Sequence, residues 1–261
     1  MTVLIGTSGW QYRHWKGMFY PERLPARLWL DHYVERFATV ELNNSFYRLP
    51  ARQTFEHWRD ATPPGFVVAV KASRYLTHVK RLKDPSEPVE RLMSQATGLG
   101  DRLGPVLLQL PPNMRVDPGL LDATLACFGP GVRVALEVRH PSWFDGGGGE
   151  EVRSILEARR AAWVLADGGA VEPPVWMTTD WSYLRFHRGT GRPESCYTPA
   201  ALDRWARRLA EAAAGRDVYC YFNNDPNGCA VRDARRFAAS LRRVGMEASR
   251  VPGRSETPVR G

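Results

Sequence analysis

The stretch Val132–Phe144, VRVALEVRHPSWF, decides the fold. In an extended chain, successive side chains alternate between faces. Val132, Val134, Leu136 and Val138 therefore share one face, and Arg133, Ala135, Glu137 and Arg139 share the other. One face is wholly apolar, and ionisable groups gather at the C-terminal end. A simple sandwich strand does not explain that pattern. A parallel barrel does: helices cover the apolar face, and the strand's C-terminal end opens into a ligand cavity.

Working outward, strands of the same kind are expected at Val3–Gly6, Thr39–Asn43, Phe66–Ala72, Pro105–Leu110, Trp163–Asp167, Tyr183–His187 and Asp217–Asn223. Between them lie helical signals. Leu24–Phe37 carries Pro25 in its first turn and an apolar stripe of Leu30, Tyr33, Val34 and Phe37. Thr54–Ala61, Pro88–Leu99 and Glu150–Arg160 read as helices. Asp117–Pro118 looks like an N-cap followed by a first-turn proline, Thr198–Pro199 opens an Ala-rich helix, and Asp225–Pro226 precedes a last one; these three close near Gly129, Gly215 and Gly245. Gly146–Gly149 reads as a flexible connector, and Gly168–Asp180 as the most irregular unit. Eight strand–helix units in 261 residues match the size of one barrel, about 250 residues. The doubly wound alternative would need a dinucleotide fingerprint, and no GxGxxG follows a strand. The expected class is therefore α/β, a single (β/α)8 TIM barrel over residues 1–248, with 249–261 a flexible tail.

Composition narrows the setting. Lys+Arg 36 against Asp+Glu 28 gives a formal net charge of +8, which favours anionic ligands, although arginine-rich outer helices account for much of it. Cys127, Cys196, Cys220 and Cys229 form no CxxC pair, so no zinc knuckle or redox motif is visible. A strand-like VLIG follows Met1 almost at once, and no apolar run spans a bilayer. The expectation is a cytoplasmic protein with no membrane partner. No feature specifies an oligomeric state.

The strand ends carry the functional signal. With the apolar faces against helices, the inward set is Glu41, Asn43, Lys71, Gln109, Glu137, Arg139, Asp167, Arg185, His187 and Asn223. Charged groups buried without partners cost several kcal/mol each, so a ring of them implies pairing or a ligand. Some of these pairs are expected to be structural ion pairs capping the core, Glu137 with Arg185 or Lys71 among them. The ring's fixed charges nearly cancel. It suits a polar or anionic ligand, with arginine forks for a phosphate or carboxylate and amides for hydroxyls.

At these segments the chain resembles a known family, domain of unknown function 72, also called YecE-like. The matching pieces are GTSGWQY with FYP (Gly6–Tyr12, Phe19–Pro21), ELNNSFYRLP (Glu41–Pro50), VKASRYLTH (Val70–His78), LLQLPPN (Leu107–Asn113), EVRHPSWF (Glu137–Phe144), YLRFHRG (Tyr183–Gly189) and YFNND with GCAV (Tyr221–Asp225, Gly228–Val231). The resemblance implies a (β/α)8 barrel similar in shape to sugar isomerases and apurinic-site endonucleases. It implies no settled reaction. Ser45 stands where the family more usually has threonine, and Arg188 departs from its pattern after the seventh strand.

Three readings of function follow. The first is an acid–base enzyme, of hydrolase, lyase or isomerase type, on a phosphorylated or sugar-like ligand at the barrel mouth. Lys71 and Glu137 are its expected acid–base pair, with His187 and His140 as histidine candidates. Arg139 and Arg185 would hold an anion. Glu41, Asn43, His78, Gln109, Asp167, Asn223 and Asn224 would line the ligand, and Trp10, Tyr12, Tyr47 and Trp143 would stack on it. The second reading is a metal-dependent, endonuclease-like phosphodiesterase. Glu41, Glu137, Asp167 and the histidines have suitable ligand types, but no HxH or HExxH spacing exists, and three basic residues share the ring. No metal or cofactor is therefore expected. The third is a nucleic-acid-binding protein, with Arg13, His14, Lys16, Arg74, His78, Lys80, Arg81 and Lys83 as a basic collar around the mouth.

Overall fold

The computed structural model describes residues 1–169 and 172–256. Eight parallel strands form one sheet: β1 Val3–Thr7, β2 Thr39–Leu42, β3 Val67–Lys71, β4 Leu103–Gln109, β5 Val134–Glu137, β6 Ala162–Asp167, β7 Trp181–Phe186 and β8 Asp217–Phe222. From β2 to β8 each strand hydrogen-bonds its sequence neighbour, and β1 pairs with β8. The remaining seam, β1 to β2, is joined by a parallel bridge from Ser8 to Glu41. Gly6 makes that seam possible: a Cβ there would stand 2.3 Å from the Thr39 carbonyl oxygen. The molecule is a single TIM barrel.

The helices are α1 Trp29–Arg36, α2 Asn44–Tyr47, α3 Arg52–Asp60, α4 Ser86–Ala96, α5 Pro118–Ala126, α6 Gly147–Ala158, α7 Pro199–Ala212 and α8 Cys229–Arg243. Asp117 and Thr198 accept backbone N–H bonds as caps of α5 and α7, each ahead of a first-turn proline. Between β6 and β7 the described residues contain no helix, so the irregular unit expected there is irregular.

Two apolar cores confirm the odd–even rule. Val134, Leu136 and Val138 lie in the large core between barrel and helices. Ala135 lies in a separate cluster inside the barrel, with Ala69, Leu107, Ala162, Val164, Ala166, Trp181, Tyr183, Tyr219 and Tyr221. Above this inner layer the inward positions turn polar, which places the site.

Three readings need correction. The glycine run is no connector, because α6 begins inside it at Gly147. A Cβ on Gly149 would meet the Phe144 carbonyl oxygen at 2.6 Å, so close packing demands the small residue. The segment read as a tail is docked over its described part: the Ser249 N–H donates to the Val3 carbonyl, Arg250 donates to the Val34 and Phe37 carbonyls, and Glu256 pairs with Arg36. Residues 257–261 lie outside the described residues. Finally, Cys196 and Cys229, 33 residues apart, form a disulfide joining the β7–α7 loop to the start of α8. Their spacing gave no hint of it, since the pairing depends on two loops meeting above the sheet.

Candidate functional site

The inward residues at the C-terminal strand ends form one hydrogen-bonded cluster. At its centre Arg185, fully buried on β7, donates from Nη2 to Glu41 Oε1 at 2.7 Å and from Nη1 to Glu137 Oε2 at 2.5 Å. Glu41 also accepts from Ser8 Oγ at 2.6 Å and from Tyr183 OH at 2.7 Å. Glu137 Oε1 accepts from Arg139 Nε at 3.1 Å and contacts His187 Nε2 at 3.0 Å. Both carboxylates are thus saturated, which offsets the cost of burying them.

Lys71 is placed differently. Its Nζ donates to Gln109 Oε1 at 2.8 Å and lies 4.2 Å from the centre of the Phe46 ring. Among the described residues no carboxylate lies within ion-pairing distance of it. Lys71, Arg139 and Arg185 face only Glu41 and Glu137, so the cluster holds one cation more than anions. Burial, then the neighbouring Arg185 guanidinium, bring the Lys71 ammonium down to about 8, against the pull of Glu41 and Glu137. Ser45 Oγ, from α2, fixes the end of β3 by donating to the Lys71 carbonyl at 2.7 Å.

The carboxyls shift the other way. Burial alone would raise Glu137, but Arg185, then His187 and Arg139, hold it well below the usual range. Glu41 is likewise lowered despite its burial, through Arg185, Ser8 and Tyr183. Glu137 therefore stays an anion. It anchors Arg139, Arg185 and His187, and its geometry does not suit proton donation.

His187 sits in a relay. Asn43 Nδ2 donates to Asn223 Oδ1 at 3.4 Å, and Asn223 Nδ2 contacts His187 Nδ1 at 3.3 Å. With Nδ1 accepting, Nε2 carries the proton toward Glu137. Asn43 Oδ1 is buried with no partner among the described residues, an acceptor without a donor. Beside the cluster, the His78 imidazole packs edge-on at 5.0 Å against the same Phe46 ring that Lys71 covers. Burial, then Lys71, lower it to about 4, so it is neutral at pH 7.

Nine of the ten inward positions meet in or beside this cluster. Asp167 does not. The inner core takes Ala162, Val164 and Ala166 from β6, which puts Asp167 on the opposite parity, toward Tyr197. Trp143 is fully buried in the outer core, its indole donating to the Met114 carbonyl, so it cannot stack on a ligand. Trp10 is likewise buried, edge-on to Trp58. Asn224 is a structural brace, donating to the Ser195 carbonyl and Asp233. His140 caps the Pro141–Trp143 turn by accepting from the Ser142 N–H. Tyr12 is tied to the Ser8 carbonyl, whereas Tyr47 is 82% exposed at the rim. Sequence reading missed Ser8 and Tyr183, although the alternation includes both. Phe46 had no signal, because only the fold of α2 brings its ring over Lys71.

Among the described residues no group of three or more His, Cys, Asp or Glu could hold a metal ion, and no helix is long and apolar enough to cross a membrane.

A TIM barrel whose mouth is floored by a buried Arg–Glu–Lys cluster is the class defined by this geometry. Residues 4–256 match the family described as "Protein of unknown function DUF72", and the chain belongs to that family. It is 26% identical to UPF0759 protein YunF of Bacillus subtilis, over 92% of this chain and 94% of that protein. It is 29% identical to UPF0759 protein YecE of Escherichia coli K12, over 57% of this chain and 53% of that protein. Among solved structures, a DUF72 family protein (TM1631) from Thermotoga maritima superposes with a TM-score of 0.81 at 29% identity, covering 93% of this chain and all of that one. One from Enterococcus faecalis V583 (EF0366) shares the fold, with a TM-score of 0.78 at 15% identity, over 92% of this chain and 96% of that one.

Proposed function

We propose that the protein is an acid–base enzyme acting on a phosphorylated or sugar-like ligand at the C-terminal mouth of the barrel. The observation that carries this is Lys71, a buried cation whose Nζ has Gln109 Oε1 as its partner and no carboxylate within ion-pairing distance among the described residues; its burial brings the ammonium down to about 8. Such a group either receives an anion or trades a proton, and acid–base chemistry uses both abilities. Glu137 takes the role of anchor and not of proton donor. Arg139, with its side chain 37% exposed and, among the described residues, bonded to Glu137 alone, is the anion clamp. Asn43, Gln109 and Asn223 orient hydroxyls, and His187, held between Asn223 and Glu137, is the histidine that exchanges a proton with the ligand.

Calorimetric titration with inorganic phosphate and sugar phosphates tests this reading. Arg139→Ala is expected to weaken binding roughly tenfold to a hundredfold, the worth of a charge-assisted bond. Lys71→Met is expected to abolish turnover. Unaltered binding in the first and unaltered activity in the second would refute these roles.

One observation favours a second reading, a nucleic-acid strand as the ligand. Among the described residues, three of the four exposed large apolar side chains, Tyr47, Tyr75 and Val79, lie in the segments that follow β2 and β3, beside Arg48, Arg74 and Lys80. Exposed rings among cations make a stacking platform for bases. A single-stranded oligonucleotide should then bind with an affinity that falls steeply as salt rises. Absence of binding at low salt rejects this alternative.

A further inference from the structure

We propose that Lys71 forms a covalent imine with the carbonyl carbon of an open-chain phosphorylated aldose or ketose. The inference rests on the acid–base reading above and names its substrate class.

The cluster's bonding isolates the Lys71 amine. Arg185 occupies one oxygen of each carboxylate, Tyr183 the other oxygen of Glu41, and Arg139 with His187 the other of Glu137. Lys71 is left with Gln109 Oε1 and the Phe46 face, so among the described residues its Nζ has one hydrogen-bond acceptor. A residue kept only to bind an anion would be served by arginine, which this chain uses almost everywhere. It has four lysines, Lys16, Lys71, Lys80 and Lys83, among 36 basic residues, and Lys71 is the one that is buried. Arginine cannot form an imine with a carbonyl under these conditions, whereas a desolvated lysine can.

The step balances without an oxidant or reductant. The neutral Nζ lone pair adds to the carbonyl carbon, an N–C bond forms, and the carbonyl π pair becomes an oxyanion that takes a proton from nitrogen. Protonation of that hydroxyl and its departure as water leave a C=N bond. The sum is ammonium plus carbonyl giving iminium plus water, so the cluster's charge is unchanged. The remaining iminium N–H keeps Gln109 Oε1 as its acceptor. With the ammonium lowered to about 8, about a tenth of Lys71 is free amine at pH 7. His78, neutral, packed on the same Phe46 ring and within electrostatic reach of Lys71, is assigned the transfer of the proton between nitrogen and oxygen. Arg139 receives the phosphate.

The test incubates the full chain with glyceraldehyde 3-phosphate or ribose 5-phosphate and sodium cyanoborohydride, followed by intact-mass measurement and peptide mapping. The expected result is one stable adduct on Lys71, forming at least tenfold faster than on Lys16, Lys80 or Lys83 and slowed by excess inorganic phosphate. Lys71→Arg should keep phosphate binding by calorimetry and lose the adduct. Labelling spread over the exposed lysines with none preferred at Lys71, while phosphate still binds, overturns the imine and leaves the acid–base reading standing. Failure to bind phosphate or sugar phosphate at all, with no adduct, overturns both.

Discussion

Arg185→Met is expected to cost roughly 3–5 kcal/mol of folding stability at neutral pH, the penalty for stripping a buried ion cluster of its central partner. Glu41 and Glu137 are 0% and 1% exposed, and Arg185 bonds both. Without it, the two buried carboxylates keep Ser8, Tyr183 and His187 as neighbours but lose their shared cation, with Lys71 and Arg139 the lysine and arginine left in the cluster. The pH dependence carries the sign. In the wild type both carboxyls are depressed, so their contribution is present above the ordinary carboxyl range and lost as pH falls through the lowered values. In the variant, burial is left to dominate and raises them. The penalty should therefore shrink as the medium is acidified and the two acids take up protons. Urea unfolding of both proteins across the acid range checks this. A loss below about 1 kcal/mol, or one that does not change with pH, would mean that Arg185 does not hold the carboxylates as described.

Lys71→Met should do the opposite and stabilise the protein while removing its activity. Lys71 falls from 10.5 unfolded to about 8 folded. Between those values the unfolded chain holds more protons, so wild-type stability rises with pH across that window. Below it, the buried ammonium costs about 3 kcal/mol. Methionine has nearly the same shape and no charge, and it leaves Arg139 and Arg185 balanced by Glu41 and Glu137. Allowing for the lost Gln109 bond and the lost Phe46 contact, a gain of about 1–2 kcal/mol at pH 7 is expected, fading between pH 8 and 10. A stabilising change that destroys function marks a residue kept for its chemistry. A destabilised variant at pH 7 would show instead that Lys71 is part of the structural ion network.

Much of this cluster was legible in the sequence because a strand has period two and a barrel has only two faces. Val134 and Leu136 against Ala135 and Glu137 sort wall from interior with no further information. The same parity places Glu41, Lys71, Gln109 and Arg185. It failed at Asp167, where β6 turns Ala166 inward instead, because the phase of an apolar run such as Trp163–Leu165 is not written in the run itself. It failed at Trp143 for another reason. The strand has ended by then, and the Pro141–Trp143 turn, not alternation, drives that ring into the outer core.

Local patterning by itself therefore determined the barrel, the caps of α5 and α7 and most of the ring of polar strand ends, since each depends on residues close together in the chain. Only the tertiary structure decided which polar groups are partnered. Arg185 meets Glu41 across 144 residues, Cys196 meets Cys229, and Phe46 covers Lys71. Whether a buried lysine keeps its proton depends on those distances and on the water excluded around it, quantities that closing the barrel creates and that no stretch of sequence contains.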